Sequence, residues 1–215
     1  MSTPTVSLTF DNGPTPHVTP AVLDALDAHG VPATFFAIGN KLATPDGLQL
    51  GRRVVAAGHR LGGHTWSHDV QFGGADAATI NAELDRTRTT VEAAGGEPLL
   101  FRPYGAGGVI DGRLMNRFGA EQLCSGRYTC VLWNVLPGDW RDQQGWVEAA
   151  LNGIARQAWA VVVLHDIADA ALPRLEELLS GLNSRVTWSQ EFPDECTPIR
   201  NGVPTSSFDM LLATT

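Results

Sequence analysis

The chain has 215 residues, and its 43% hydrophobic against 18% charged content supports a sizeable core and excludes wholesale disorder. A formal net charge of -8 with no Lys/Arg cluster excludes the electrostatic footprint of a nucleic-acid or anionic-membrane partner. Met1-Ser2-Thr3-Pro4 has neither a basic nor an apolar leader region, and no apolar run is long enough to span a bilayer, so a soluble, cytoplasmic protein is expected.

In chain order, Val6 to Phe10 reads as a short buried strand, rich in β-branched and aromatic residues, that stops on Asp11-Asn12 before Gly13-Pro14. Pro20 to His29 has helical spacing and ends at Gly30; Ala33 to Ile38 is a second apolar strand closed by Gly39-Asn40. A helix over Leu48 to Ala57 is broken by Gly58, and a short strand near Arg60-Leu61 reaches Gly62-Gly63. Asp76 can cap a long helix to about Ala94, before Gly95-Gly96. Next come a strand Leu99 to Phe101, a helix around Leu114 to Phe118 and a strand Cys130 to Val135. A helix Trp146 to Gln157 precedes the strand Val161 to Leu164, and a helix Leu172 to Leu182 leads to a strand Arg185 to Trp188. The tail 190–215, with Pro193, Pro198 and Pro204, reads as irregular packing. The three cysteines, an odd number without a CxxC pair, point to reduced thiols rather than a disulfide framework or a cysteine metal site.

The alternation of apolar strands with helices predicts a mostly parallel sheet covered by helices, in one domain over 1–215. In such sheets the carboxyl ends of the strands are where active sites are built. Successive strands here end in polar residues: Asp11-Asn12, then His64 and His68, Arg102, Asp139-Trp140, and His165-Asp166. His64 and His68, at i and i+4, can direct both imidazoles to one point if they share a helical turn. The ordinary alternatives are a simple Asp-Asn-Gly turn, satisfied structural histidines and surface ion pairs.

Taken in order, these motifs resemble the polysaccharide deacetylase family, also called the NodB-homology or carbohydrate esterase family 4 domain, from Leu8 to about Trp188. The resemblance implies a distorted, incomplete (β/α) barrel. It also implies a metal-dependent hydrolase that removes acetyl groups, mostly from N-acetylglucosamine units of chitin or peptidoglycan or from acetylated xylan. By position, Asp11 matches the catalytic base, His64 and His68 the metal-binding histidines, and Arg102 the arginine that pairs with the base. Asn12 stands where the family usually has a metal-binding aspartate, and Tyr104 where a backbone N–H helps hold the oxyanion. Asp139 matches the carboxylate that orients the catalytic histidine, and His165 that histidine, the general acid. Trp140 matches a wall of the acyl pocket and Leu164 the residue lining the acetyl methyl site. The family's usual Arg-Pro-Pro-Tyr-Gly is one proline shorter at Arg102-Pro103-Tyr104-Gly105.

The reading that follows is a divalent-metal hydrolase of an amide, less readily an ester, in a small or oligosaccharide substrate. Zn²⁺ is the first expectation for imidazole-rich sites, and Co²⁺, Ni²⁺ or Mn²⁺ would also accept nitrogen and oxygen donors. Two alternatives stay open: a cytoplasmic C–N hydrolase of a cyclic amide or ureide, and a degenerate domain that binds carbohydrate without hydrolysing it.

Overall fold

In the computed structural model, which describes residues 3–212, the chain builds one sheet around the strand β1 (Thr5–Asp11). Residues 1–2, from the stretch Met1-Ser2-Thr3-Pro4, and 213–215, the end of the expected irregular tail, lie outside the described residues. The other strands are β2 (Ala33–Ala37), β3 (Arg60–Gly63), β4 (Leu100–Phe101), β5 (Thr129–Cys130), β6 (Trp159–His165), β7 (Thr187–Trp188), β8 (Ile199–Arg200) and β9 (Val203–Pro204). Their order is β6-β1-β2-β3-β4-β5-β8-β9, with β7 also on β1. Pairings from β6 to β5 are parallel, whereas β8 and β9 add antiparallel. The helices are α1 (Val18–His29), α2 (Gly39–Leu42), α3 (Pro45–Ala56), α4 (Ala77–Ala93), α5 (Arg117–Ser125), α6 (Trp146–Ile154) and α7 (Leu175–Leu182). This is the mostly parallel, helix-covered sheet expected from the alternation, in the form of the incomplete (β/α) barrel that the family resemblance implies.

Side chains on a strand alternate between faces, and β1 uses the two faces differently. Val6, Leu8 and Phe10 join an outer core with α1, α6 and α7, where Phe10 stacks on Phe35 at 5.1 Å between ring centroids. Ser7, Thr9 and Asp11 take the opposite, interior face and are buried there. On β6, in register with β1, Ala160, Val162 and Leu164 belong to the outer core, and Val161 and Val163 to the inner one. Burying each large apolar side chain contributes about 1.5–3 kcal/mol, so the register is strongly held.

Several local expectations are corrected. The strand expected over Cys130 to Val135 pairs as a strand only at Thr129–Cys130, because the chain then changes neighbour. Val131 N–H still donates to Phe101 O, but Val135 forms a bridge with Val162 of β6, leaning the segment across the barrel opening. The helix expected at Leu114 to Phe118 begins at Arg117 instead, where Asn116 Oδ1 caps it by accepting from Gly119 N–H at 2.9 Å. The first turn of the helix expected from Leu172 is a 3₁₀ turn over Leu172–Arg174, which contains Pro173, and α-helix starts at Leu175. The tail is more regular than expected. β8 and β9 form a hairpin through Asn201-Gly202, both with positive φ (51° and 81°), and it covers the edge of β5.

Candidate active site

The parallel sheet brings the polar strand ends to one rim. There a cavity of about 250 Å³ is lined by Asp11, Asn12, His64, His68, Tyr104, Trp140 and His165, among others. Asp11 lies opposite His165 in the β1–β6 register. Its carboxylate receives Arg102 Nη1–H at 2.8 Å, and the same nitrogen also donates to Thr9 Oγ1 at 2.7 Å. Arg102 is fully buried; its Nε and Nη2 donate to the carbonyls of Val131 and Leu132, and its guanidinium lies 4.1 Å from the centre of the Phe36 ring. Burial alone would raise the Asp11 pKa, but the Arg102 charge, helped by His64 and His165, overcomes this and holds the carboxyl below its ordinary value. Asp11 is therefore an ionised carboxylate that is itself buried but lines the cavity.

Across the cavity His165 Nδ1–H donates to Asp139 Oδ1 at 2.8 Å, while the His165 backbone N–H donates to Asp139 Oδ2, also at 2.8 Å. Asp139 is completely buried. Desolvation lowers the His165 pKa, but the Asp139 hydrogen bond and charge, with Asp11 adding to them, leave it raised above 6.5. With Nδ1 engaged, Nε2 is the ring atom left to meet a substrate. The Trp140 ring stands edge-on to this imidazole, 4.6 Å between centroids.

The third group is Asn12, His64 and His68. Asn12 adopts φ 74°, a left-handed conformation that asparagine tolerates better than most residues. Gly13 follows because a Cβ there would overlap the Asp166 carboxylate. The backbone carbonyl of Asn12 accepts from Lys41 Nζ at 2.7 Å. Its side-chain Oδ1 is buried and finds no hydrogen-bond partner among the described residues, so it does not cap the turn. His64 Nδ1 sits 2.9 Å from the Arg102 carbonyl, which can only accept, so Nδ1 carries the hydrogen and Nε2 offers a lone pair. Burial, followed by the neighbouring His64, pushes the His68 pKa down to about 3, keeping that imidazole neutral. The two rings lie 5.0 Å apart. An orphaned amide oxygen beside two neutral imidazoles is a donor set suited to a divalent cation.

The expected helical turn under His64 and His68 is absent. The segment is a loop with Thr65 and His68 at φ 59° and 60°, entered when His64 N–H donates to Ala37 O at the end of β2. Tyr104 lines the cavity and its ring packs on His68 at 4.1 Å between centroids. Leu164 is the exception among the expected site residues. It is fully buried in the outer core opposite Phe10, and Val163, on the inward face of β6, lines the cavity in its place. Strand alternation decides this, since His165 points inward and its immediate neighbour must point outward. Trp133, Leu136 and Ile167 complete the apolar wall. Leu136 and Ile167 lie just beyond expected strands, and Trp133 lies within the expected strand Cys130 to Val135, where an apolar run alone does not say which side chains face the cavity.

Residues 1–121 match the family model described as polysaccharide deacetylase. The chain is 33% identical over 198 residues to a chitooligosaccharide deacetylase of Rhizobium leguminosarum bv. trifolii, covering 84% of this chain and 86% of that protein. It is 30% identical over 181 residues to the peptidoglycan-N-acetylglucosamine deacetylase PgdA of Listeria monocytogenes, covering 84% of this chain but only 36% of that longer protein. A family 4 acetyl xylan esterase from Clostridium thermocellum, solved in complex with a cobalt ion, has the same fold with TM-score 0.71 and 26% identity over 86% of this chain and 87% of that one. From the ordered strand-end residues, the barrel that gathers them and these similarities together, the chain belongs to the polysaccharide deacetylase family.

Proposed function

We propose that the chain is a metal-dependent deacetylase that hydrolyses the acetamide of N-acetylglucosamine units in an oligosaccharide or in peptidoglycan. The observation that carries this reading is the pairing, across one cavity, of an Arg102-held Asp11 with an Asp139-held His165. These are two titratable groups whose surroundings push them toward opposite charges. Asn12, His64 and His68 would hold the divalent cation, Zn²⁺ or Co²⁺ first among the choices. Such an ion supplies Lewis acidity to the acyl oxygen and acidity to the attacking water.

Asp11 accepts a proton from the water as its oxygen bonds to the acetyl carbon, and Arg102 keeps the carboxylate ionised and aimed for this. The backbone N–H of Tyr104 stabilises the developing oxyanion. His165, protonated on Nε2, then delivers its proton to the sugar nitrogen as the C–N bond breaks, releasing acetate and the free amine. Asp139 holds the ring in place and favours its protonated form. Trp140 and Val163 wall the space beside the acetyl group.

The test is acetate release from N-acetylglucosamine oligomers and peptidoglycan, set against a panel of cyclic ureides and imides, before and after chelation and metal restoration. Acetate release that disappears with chelator and returns with Zn²⁺ or Co²⁺ is expected. Full hydrolysis by verified metal-free protein, or turnover of the ureides alone, would refute the proposal.

A further inference from the structure

Helix α4 turns Ile80, Leu84, Thr87 and Val91 to the interior at helical spacing, and Glu83 stands on that same buried face. A carboxylate on a core-facing stripe is costly unless its oxygens are hydrogen-bonded. Its partners are two consecutive backbone amides: Glu83 Oε2 accepts from Trp66 N–H at 2.7 Å and from Ser67 N–H at 3.0 Å. Both lie in the loop between His64 and His68, and among the described residues neither has another acceptor. The same loop holds Thr65 and His68 in left-handed conformations, which non-glycine residues keep only when their surroundings over-determine them. One turn along α4, Arg86 places its guanidinium 3.8 Å over the Trp66 ring, so the helix also grips the loop from outside. On the opposite side the loop is tied to α2, where Gly39 N–H and Asn40 N–H donate to the carbonyls of Thr65 and Trp66.

We propose that Glu83 is a positioning residue of the metal centre. Its carboxylate fixes the backbone at Trp66 and Ser67 and thereby aims the His68 imidazole at the point shared with His64 and Asn12. This rests on the metal reading above. Groups that orient a metal ligand without touching the metal typically contribute about 10–100-fold to affinity. The glutamate acts here as an oxygen acceptor rather than as a charge, since both its partners are neutral amides.

The experiment measures Co²⁺ affinity of the full chain by its absorption spectrum and by competition with a calibrated chelator. It compares wild type, Glu83→Gln, Glu83→Leu and Leu84→Ala. Glutamine keeps an acceptor oxygen at the same reach and should bind within a few-fold of wild type. Leucine leaves two partly buried amides without their acceptor and should weaken binding by about 10–100-fold, with an altered spectrum. Leu84→Ala removes packing from the same helix without touching the loop amides; it should lower the melting temperature and leave Co²⁺ affinity unchanged. Equal affinity of Glu83→Leu and wild type would overturn the assignment. So would a loss in Leu84→Ala as large as that in Glu83→Leu, because softening of the helix would then explain both. Absence of Co²⁺ binding by wild type would overturn the metal reading itself, and the Glu83 assignment with it.

Discussion

Replacing Arg102 with methionine tests the central electrostatic claim, because methionine keeps much of the side-chain volume and deletes the charge. Arg102 is fully buried and Asp11 only 3% exposed, so solvent cannot take over the lost partner. Breaking a buried ion pair from one side costs about 3–5 kcal/mol. For a domain of this size that lowers the melting temperature by roughly 6–20 °C at neutral pH. The cost should depend on pH, with a definite sign. In wild type the Asp11 pKa lies below its unfolded value of 3.8, so the pair's contribution is present above that value and is lost as pH falls through the folded one. In Arg102→Met the burial of Asp11 loses its main counterweight, and the folded pKa rises above the unfolded one. The folded variant then holds a proton that the unfolded chain has released, and it loses stability as pH rises through the raised value. The gap between wild type and variant should therefore widen from acid to neutral pH. Urea or thermal unfolding at about pH 4 and about pH 7 reads it directly, and adding Asp11→Asn to Arg102→Met should close most of it. A gap that is the same at both pH values would refute the coupling. Deacetylation should meanwhile fall by about 10²–10⁴-fold, the usual worth of a positioned base.

The remaining predictions concern the other groups. Asp139→Asn removes the interaction that raises the His165 pKa, so the alkaline limb of the kcat/KM profile should move to lower pH; an unmoved limb would mean that His165 is not the acid. Asn12→Asp adds a charge to a neutral donor set and should tighten Zn²⁺ in chelator competition by about tenfold or more, equivalent to about 1.4 kcal/mol. It should also shift the acid limb of the rate to higher pH; unchanged affinity and profile would show that Asn12 Oδ1 is not a ligand. Gly13→Ala drives a Cβ into the Asp166 carboxylate and should cost about 1–3 kcal/mol in denaturant unfolding. Wild-type stability in that variant would show that the turn adapts freely.

Much of this protein was legible before any coordinates. Apolar runs separated by capped helices implied parallel strands, and a strand that halts on Asp11-Asn12-Gly13-Pro14 marked where the rim begins. Such features are local: propensity, capping and breaking act within a few residues, so a single sequence records them. Two further local signals lie in the sequence. Asn201-Gly202 is a hairpin dipeptide that ends the picture of an irregular tail, and Glu83 is a charge on the apolar stripe of α4. Other outcomes depend on register. Leu164 and His165 are adjacent in sequence and face opposite sides of one strand, and only pairing of β6 with β1 decides which of them meets Asp11. Likewise the spacing of His64 and His68 suits a helical turn, yet contacts with α2 and α4 hold them in a loop instead. Which partner a carboxylate meets, and therefore whether burial raises or lowers its pKa, is set by segments far apart in the chain. Arg102 reaches Asp11 across 91 residues of sequence, and only the curved sheet that carries β1 and β4 makes that distance 2.8 Å.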